Sequence, residues 1–253
     1  MILTVDIGNT NISCGLYRNG NLERTFRFES DRNVSTDIYA ELFKAEIVPQ
    51  NIEGAIIGSV VKELNDRVVS SIENIYEVKP IIVSGSMAMP IKINVKNPEE
   101  VGADRITNAV KAWQLYKRAL IVVDFGTATT FDVVNSNGHY IGGLIAPGIK
   151  TQLRSLNLST SLLNEVDVKP SKTVIGDDTE SCILSGVLRG SASMVERMIE
   201  KTIIELGENA ITIGTGGLCR LVADYMDKPF DYILPNITLD GLFELYILSQ
   251  LIT

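Results

Sequence analysis

Residues 2–20 read ILTVDIGNTNISCGLYRNG, and residues 121–138 read IVVDFGTATTFDVVNSNG. Each stretch starts with an apolar, β-prone run, reaches an aspartate followed two residues later by glycine, and continues as an extended run into an Asn-Gly pair. Asn-Gly between extended runs is a strong β-hairpin signal. In both copies the Asn of that pair stands 13 residues after the Asp, since 19 − 6 and 137 − 124 agree. The shared pattern predicts a repeated β-hairpin unit and therefore an internal duplication.

The rest of the chain repeats this order of elements. Predicted strands at residues 54–61 and 210–215 follow the first and the second hairpin, and segments with a helical spacing of apolar residues lie around Val110 and Val187. Alternating strands and helices are typical of α/β layers. We therefore predict an α/β protein of two duplicated lobes, each a mixed sheet flanked by helices, with residues 1–118 in the first lobe and 119–253 in the second. No Pro/Gly/Ser-rich linker separates them, which predicts closely apposed lobes.

Composition and charge exclude several classes of function. The chain of 253 residues is 45% hydrophobic, enough for a core, and carries a formal charge of −8 without a block of Lys or Arg. Such a surface argues against nucleic acid as a partner. The single histidine, His139, excludes Ser-His-Asp triads and His-rich zinc sites, so acid-base chemistry falls to carboxylates. Cys14, Cys182 and Cys219 lack Cys-x-x-Cys spacing and are expected to be buried apolar residues.

The start of the chain and its hydropathy predict the compartment. Met1 leads into a short apolar run without a basic region, which is not the pattern of a secretory signal. No apolar stretch approaches the roughly 20 residues that span a bilayer. We expect a cytoplasmic protein that has no membrane partner.

The two Asp-x-Gly turns, at Asp6 and Asp124, are the first candidates for chemistry. Glycine lets phosphate oxygens approach backbone N–H groups, and a carboxylate is a hard ligand for Mg²⁺ or its waters. Asn and Thr beside them, as in Gly8-Asn9-Thr10, form hydrogen bonds without repelling a polyanion. Either turn alone is also compatible with an ordinary β-turn. Two turns in matched frames predict a phosphate clamp.

Other glycine and threonine positions leave two interpretations open. Gly214-Thr215-Gly216-Gly217 follows an apolar run and precedes a predicted helix, so it either receives a nucleotide on free N–H groups or forms a tight strand-to-helix turn. Thr127, Thr129 and Thr130 are either ligand contacts or strand residues chosen for β propensity. The chain lacks the Walker pattern and a Gly-x-Gly-x-x-Gly fingerprint after a strand, which disfavours P-loop and Rossmann sites.

The stretch Gly102-Ala103-Asp104-Arg105 precedes a predicted helix, which places Asp104 in or near its first turn. Acidic residues are favoured there by the helix dipole, so capping is one interpretation. The other is a catalytic base that orients an acceptor hydroxyl for in-line attack on a γ-phosphate, with Arg105 pairing an anionic acceptor. Thr179 leaves a similar choice between a helix start and a ligand contact.

Five stretches, in this order along the chain, together resemble type III pantothenate kinases. They are Asp6-Ile7-Gly8-Asn9-Thr10-Asn11, Val101-Gly102-Ala103-Asp104-Arg105, Asp124 to Thr130, Gly142 to Gly148 and Thr215-Gly216-Gly217. The resemblance covers almost the whole chain. It implies the actin-like, ribonuclease H-like fold of the actin, sugar kinase and heat-shock ATPase superfamily. It also implies phosphorylation of pantothenate by ATP to 4′-phosphopantothenate, the first step of coenzyme A synthesis.

The resemblance assigns the ATP side of the site. Residues 6–13 resemble the first phosphate loop, and the expected ATP contacts there are Asp6, Gly8, Asn9, Thr10, Asn11 and Ser13. Asp6 is expected to hold Mg²⁺, directly or through water. Further expected ATP contacts are Thr127, Gly216 and Gly217. Asp124 resembles the ligand of an activating monovalent cation, K⁺ or NH₄⁺.

The resemblance also assigns the acceptor side. Residues 102–105 (Gly102, Ala103, Asp104 and Arg105) resemble the pantothenate-binding turn, with Asp104 as proton acceptor. Thr179 resembles a pantothenate contact in a site completed by the second subunit of a homodimer. Val95 is a departure, because many relatives carry an aromatic residue there, and it weakens the inferred packing around pantothenate.

Two other functions stay open: transfer to another small hydroxy acid, and ATP binding by an accessory protein without transfer.

Overall fold

The computed structural model of the protein describes residues 1–47, 52–159 and 166–252. The chain divides into two compact units, one formed by Met1–Leu115 with Ile237–Thr253 and the other by Tyr116–Asn236. The predicted lobes differ from these units in one main respect, because residues from 237 onward were assigned to the second lobe. Their helix packs on strands of the first unit instead, through long-range contacts that have no local sequence signal.

The first unit is a five-stranded mixed sheet with helices. Its strands lie in the order β3-β2-β1-β4-β5, where β1, β2 and β3 are antiparallel neighbours and β4 and β5 run parallel to β1. The elements are β1 (Ile2–Ile7), β2 (Asn11–Arg18), β3 (Asn21–Glu29), α1 (Thr36–Glu46), β4 (Gly54–Ser59), α2 (Lys62–Tyr76), β5 (Ile81–Ile82), β6 (Lys92–Ile93), a 3-10 turn (Pro98–Glu100), α3 (Ala103–Tyr116) and, at the far end of the chain, α7 (Ile237–Ile252).

The second unit repeats this arrangement. Its strands lie in the order β11-β10-β7-β8-β9, where β7, β8 and β9 are antiparallel neighbours and β10 and β11 run parallel to β7. The elements are β7 (Leu120–Phe125), β8 (Ala128–Val134), β9 (His139–Pro147), α4 (Ile149–Ser159), α5 (Thr179–Leu206), β10 (Ile211–Thr215), α6 (Cys219–Ala223) and β11 (Tyr232–Ile233). The α/β class with two mixed sheets flanked by helices is confirmed. Their common strand order agrees with the predicted duplication.

Both hairpins form where the Asn-Gly pairs predict them. Asn19 and Gly20 join β2 to β3 with φ angles of 50° and 85°, the left-handed conformation that these two residue types adopt most readily. The second connection is longer, and it is closed by a hydrogen bond from the Asn135 N–H to the His139 carbonyl oxygen at 3.0 Å. Its Asn135 side-chain oxygen also accepts from the Asn137 N–H at 3.1 Å. Asn-Gly therefore predicts the reversal of the chain but not the length of the loop.

Each sheet has its own apolar core, and one candidate aspartate lies near the end of a buried strand in each. In the first unit Val5, Phe43 and Leu64 are fully buried in one cluster of strand and helix residues. In the second unit Phe131 and Leu188 belong to the equivalent cluster. The aspartates at positions 6 and 124 are the penultimate residues of β1 and β7, so the buried strands fix their backbones. No helix within residues 1–47, 52–159 and 166–252 is long and apolar enough to cross a membrane.

The cysteines differ in exposure. Cys14 and Cys219 are buried, as expected from the sequence, but Cys182 is exposed. Cys182 lies on α5, where Leu184 and Leu188 are among the residues that enter the core. The expectation that all three are buried was wrong for this residue, because a helix in contact with a core on one side leaves its other side in solvent.

Candidate active site

The first candidate turn connects β1 to β2. The Gly8 N–H closes it by donating to the Asn11 carbonyl oxygen at 3.0 Å. The side chains of Asn9 and Thr10 are exposed. A Cβ on Gly8 would lie 3.1 Å from the Asn11 oxygen, so a side chain here would crowd the turn. The tip of the turn thus presents neutral polar side chains and no carboxylate, which suits a polyanionic ligand.

Ser30 braces this turn from the end of β3. Its hydroxyl donates to the Gly8 carbonyl oxygen at 2.6 Å, and its N–H donates to the Thr10 carbonyl oxygen at 3.0 Å. Both bonds fix the turn before any ligand arrives, which lowers the conformational cost of binding. The sequence reasoning missed Ser30, because the bonds link residues about 20 positions apart and no local motif marks them.

Asp6 is flanked by a small residue on each neighbouring strand. It stands opposite Ser13 on β2 and beside Gly58 on β4. A Cβ on Gly58 would lie 3.0 Å from Leu242 Cδ2 and 3.5 Å from Ala103 Cβ. The first residue of α3 therefore packs against the strand position next to Asp6. The first unit brings the Asp6 turn and the start of α3 into the same region.

Val60 forms a second link between these two segments. Its N–H donates to the carbonyl oxygen of Ile7, the last residue of β1, at 3.1 Å. A Cβ on Gly102 would lie 3.2 Å from Val60 Cγ1 and 2.5 Å from Asp104 Oδ1. Glycine at 102 thus leaves the space that the Asp104 carboxylate occupies. Sequence reasoning gave no role to Val60, since an apolar residue after a strand carries no chemical signal.

Asp104 is partly buried, and two groups of Arg105 stabilise its charged form. Asp104 is the second residue of α3, and its Oδ1 accepts a hydrogen bond from the Arg105 N–H at 2.8 Å. Burial raises the pKa of the carboxyl group above its ordinary value, against the opposing effects of the Arg105 N–H and the Arg105 guanidinium. The carboxylate is thus poorly solvated and more basic than an ordinary aspartate. Both properties suit a group that accepts a proton.

Val95 lies in a bend between β6 and the 3-10 turn and is half-buried. The 3-10 turn ends two residues before Gly102, so Val95 belongs to the segment that leads into the Asp104 turn. Its role in acceptor binding remains a prediction.

The second candidate turn, between β7 and β8, is held from α4. The Gly126 N–H donates to the Ala128 carbonyl oxygen at 3.0 Å. The carbonyl oxygen of Thr127 accepts from the Gly148 N–H at 3.2 Å and from the Thr151 hydroxyl at 2.7 Å. A Cβ on Gly148 would lie 2.5 Å from that same Thr127 oxygen, so only glycine fits there. The contacts give a physical reason for the glycine that ends the 142–148 stretch.

Gly216 joins the third glycine cluster to Asp124. The preceding residue, Thr215, stands beside Asp124 in the parallel pair of β10 and β7. Gly216 has a φ of +89°, and a Cβ there would lie 2.5 Å from Asp124 Oδ1 and 2.6 Å from the Phe125 nitrogen. Nothing lies within 4 Å of a Cβ built on Gly217, so that glycine faces open space. The second unit therefore places Asp124 and residues 216–217 in one cluster.

The Cys219 thiol is also part of this cluster. Burial raises its pKa to about 12, and the negative charge of Asp124 contributes to the shift. A Cβ on Gly214 would lie 2.5 Å from the Cys219 sulfur, so the strand end and the start of α6 are tightly packed. Cys219 is a neutral packing residue at neutral pH, and the charge of the cluster comes from Asp124.

The threonines predicted as ligands or strand residues separate clearly. Thr127 lies in the turn and is exposed, whereas Thr129 is fully buried within β8. Thr130 lies in β8 and is half-buried. Thr179 is the first residue of α5 and is exposed, after an N-cap in which Asp178 accepts from the Ser181 N–H at 2.7 Å. The helix start predicted at Thr179 is correct, and its exposure leaves the side chain accessible to a ligand.

The carboxylates of the described residues do not form a dedicated metal cage. In the part of the chain that the structure describes, no three His, Cys, Asp or Glu side chains lie together in a geometry that could hold a metal ion. Mg²⁺ commonly binds through one or two carboxylates, waters and the phosphates of a substrate. Asp6, one hard oxygen ligand beside a neutral turn, fits that kind of site.

Solved structures define the class of the fold. The chain is similar to a conserved protein from Campylobacter jejuni described as a Baf family transcriptional activator, with a TM-score of 0.62 and 19% identity over 98% of both chains. It is also similar to a ROK hexokinase from Thermus thermophilus, with a TM-score of 0.53 and 10% identity over 98% of this chain and 99% of that chain. At these identities the likeness shows the fold, which is that of the actin-like sugar kinases.

Sequence comparison then gives the family. The family model for type III pantothenate kinase matches residues 2–201. A type III pantothenate kinase from Bacillus cytotoxicus is 36% identical over 251 residues, which cover 97% of this chain and 95% of that protein. The chain belongs to the type III pantothenate kinase family.

Proposed function

We propose that the protein transfers the γ-phosphate of ATP to the hydroxyl group of pantothenate, giving 4′-phosphopantothenate in the first step of coenzyme A synthesis. One observation carries the proposal: within the first unit, a poorly solvated and basic Asp104 is packed, through Ala103 and Val60, against the strand ends that flank the Asp6 turn. Family membership specifies the substrates. Because the reaction consumes ATP, we also infer a cytoplasmic location.

In this proposal Asp104 acts on the acceptor. Its carboxylate orients the pantothenate hydroxyl and accepts its proton, while the hydroxyl oxygen attacks the γ-phosphorus in line with the bond to the departing ADP. Arg105 pairs with the pantothenate carboxylate. Gly102 and Ala103 shape the turn, and the acceptor is further bound by Val95 and Thr179.

Each unit supplies residues that we propose as ATP contacts. In the first unit, the phosphates are bound by the backbone and side chains of Gly8, Asn9, Thr10, Asn11 and Ser13. In the second unit, Thr127, Gly216 and Gly217 bind the nucleotide. The exposure of Thr127 and the open space at Gly217 support these roles.

Two cations complete the proposed site. Asp6 holds Mg²⁺, directly or through water, and the bound ion supplies neutralisation of the charge that develops on the phosphates. Asp124 is the ligand of a monovalent cation, K⁺ or NH₄⁺. The donor chemistry fits K⁺, which prefers several oxygen ligands including backbone carbonyls, since the Asp124 carboxylate lies beside a turn rich in carbonyl groups.

The proposed reaction predicts ADP formation that depends on pantothenate. Purified protein with ATP, Mg²⁺ and pantothenate should release ADP and form 4′-phosphopantothenate, detected by a coupled assay and by mass spectrometry. Omitting K⁺ and NH₄⁺ should reduce the rate severalfold. ATP binding without turnover of pantothenate would contradict the acceptor, and a rate independent of monovalent cations would contradict the role of Asp124.

We also propose that the protein is a homodimer that uses the exposed face of α5. A Cβ on Gly186 or Gly190 would meet nothing within 4 Å, so this small-residue face lies open in the single chain. Val174 and Ile175 line the same groove, and these residues are 72% and 87% exposed. Apolar groups this exposed favour a protein contact.

The dimer proposal predicts a mass of twice 27.7 kDa in light scattering. Ile175→Glu should shift the protein to a monomer, because the charge would be buried in the contact. Ile38→Glu, at a position with 52% exposure in α1, is the matched control and should stay dimeric. A monomeric wild-type protein, or an Ile175→Glu dimer, would contradict this interface.

A further inference from the structure

An arginine from outside the predicted motifs contacts the first candidate turn. Arg32 follows β3, and its Nη2 donates to the Asn9 side-chain oxygen at 3.3 Å. The contact lies next to Ser30, which bonds the backbone of the same turn at Gly8 and Thr10. The turn thus has one backbone brace and one charged side chain from the same segment.

The backbone that carries Arg32 is fixed, although its side chain is exposed. The guanidinium of Arg67 donates to the carbonyl oxygens of Arg32 and, at 3.2 Å, of Val34. The Tyr39 hydroxyl donates to the Asp31 carbonyl oxygen at 2.9 Å and accepts from the Asp31 N–H at 3.2 Å. Burial raises the pKa of Tyr39, so its hydroxyl stays protonated at neutral pH. This bracing holds the guanidinium near the turn at a reduced entropic cost.

The charge of Arg32 is available to a ligand. In the described residues no carboxylate forms an ion pair with it. A guanidinium has five N–H donors in a planar fork that matches phosphate geometry, and the bond to Asn9 uses one of them. Residues 6–13 contain Asp6 and no Lys or Arg, so the turn itself has no positive charge for a triphosphate.

We propose that Arg32 binds the phosphates of ATP at the Asp6 turn, with the Asn9 side chain holding its guanidinium in place. This inference rests on the proposed ATP site. It adds a residue that lies outside the segments 6–13, 102–105, 124–130 and 214–217. It also gives Asn9 a second role: besides its proposed contact with the phosphates, its side-chain oxygen positions the Arg32 guanidinium.

The inference predicts a loss of affinity that depends on phosphate. Arg32→Gln should weaken ATP binding about tenfold, because a hydrogen bond to a charged group contributes about 1.5 kcal/mol or more and 1.4 kcal/mol is a factor of ten. Adenosine binding should be unchanged. Arg32→Lys keeps the positive charge but loses the planar fork of donors, so its ATP affinity should lie between those of the wild type and Arg32→Gln. Isothermal titration of the wild type and of both full-length variants with MgATP and with adenosine measures these affinities.

The control is Arg18→Gln, which removes the same charge at the far end of the β2–β3 hairpin, where Arg18 pairs with Glu23 at 3.2 Å. It should bind ATP as the wild-type protein does. ATP affinity of Arg32→Gln within twofold of wild type overturns the inference, and so does an equal loss for ATP and adenosine, which would indicate a structural role. A wild-type protein that binds no ATP removes the proposed function and this inference together. A protein that binds ATP without phosphorylating pantothenate removes only the acceptor assignment.

Discussion

Replacing Asp104 by Asn lowers kcat by about 10²–10⁴-fold, the range that a positioned proton acceptor contributes, while KM for ATP stays near its wild-type value. Asparagine keeps the shape of the side chain and an oxygen that can accept from the Arg105 N–H, as Asp104 does at 2.8 Å. Only the ability to take a proton is lost. Steady-state kinetics with pantothenate varied at saturating ATP measures kcat, and the same assay with ATP varied at saturating pantothenate measures KM for ATP.

The pH dependence of the same variant tests the assignment independently. The wild-type kcat/KM should fall as the pH drops through the pKa of Asp104, which burial raises above the ordinary value of 3.8. The acid limb therefore lies at higher pH than for a solvated aspartate. In Asp104→Asn this limb should disappear from the residual activity.

Stability should change in the opposite direction from activity. A carboxyl group whose pKa is raised in the folded protein favours folding at low pH, and that contribution is lost as the pH rises through its folded pKa. At neutral pH the buried charge is therefore a cost, and Asp104→Asn should raise the unfolding temperature. Glu63→Gln is the control, since Glu63 is an exposed acidic residue in the first turn of α2: kcat should be unchanged, and stability should fall only by the small helix-dipole contribution.

Capping of α3 would give the reverse result. If Asp104 served only the helix dipole, its loss would lower stability by about 0.3–1 kcal/mol and leave kcat unchanged. A variant with wild-type kcat and lower stability would contradict the catalytic role. The catalytic role and the capping role of Asp104 thus predict opposite changes in stability, and only the catalytic role predicts a large fall in kcat.

Replacing Gly216 by Ala lowers the free energy of unfolding by about 2–4 kcal/mol and abolishes measurable ATP binding. The φ of +89° is costly for any residue with a Cβ, and that Cβ would lie 2.5 Å from Asp124 Oδ1 and 2.6 Å from the Phe125 nitrogen. The strand end or the carboxylate must move. Urea denaturation and titration with MgATP measure the two effects.

Gly217→Ala is the matched control for this change. A Cβ on Gly217 meets nothing within 4 Å, so the adjacent substitution should cost less than about 0.5 kcal/mol. If Gly216→Ala were as stable as Gly217→Ala, the close approach of residue 216 to Asp124 would be refuted.

The turns could be predicted from the sequence because their signals are local. Asn19-Gly20 encodes a left-handed reversal, and an aspartate followed by glycine encodes an open turn after a buried strand. Matching the two copies predicted the repeated hairpins and the two mixed sheets. A tight strand-to-helix turn was one of the two interpretations of residues 214–217, but the contact of Gly216 with Asp124 depends on the pairing of β10 with β7, which no local pattern reveals.

The rest of the candidate site depends on contacts between distant residues. Ser30 supports a turn 22 residues earlier, and Arg32 reaches Asn9 across 23 residues. Val60 and Gly58 position Asp104 only because the start of α3 packs on the ends of β1 and β4. Serine, valine and arginine in such places are ordinary residues by composition, so only the folded chain distinguishes them.

Helix α7 shows the same limit at the level of the whole fold. Thr238 donates to the Asn108 side chain at 2.7 Å, and the Tyr17 hydroxyl donates to Asp240 at 2.6 Å. Gly241 packs directly on the backbone of Thr107, where a side chain would not fit. These contacts join α7 to β2 and α3 of the first unit. A boundary inferred from sequence order therefore assigned α7 to the wrong side.

The return of α7 to the first unit has a consequence for biosynthesis. Residues 116–236 are contiguous, so the whole of the second unit is translated before residues 237–253 of the first unit. Domains generally fold as units as the chain is made, at about 5–20 residues per second. The first unit can therefore complete its native packing only after the second unit has been translated. Until then the surface of β1 and β4 that α7 covers stays exposed.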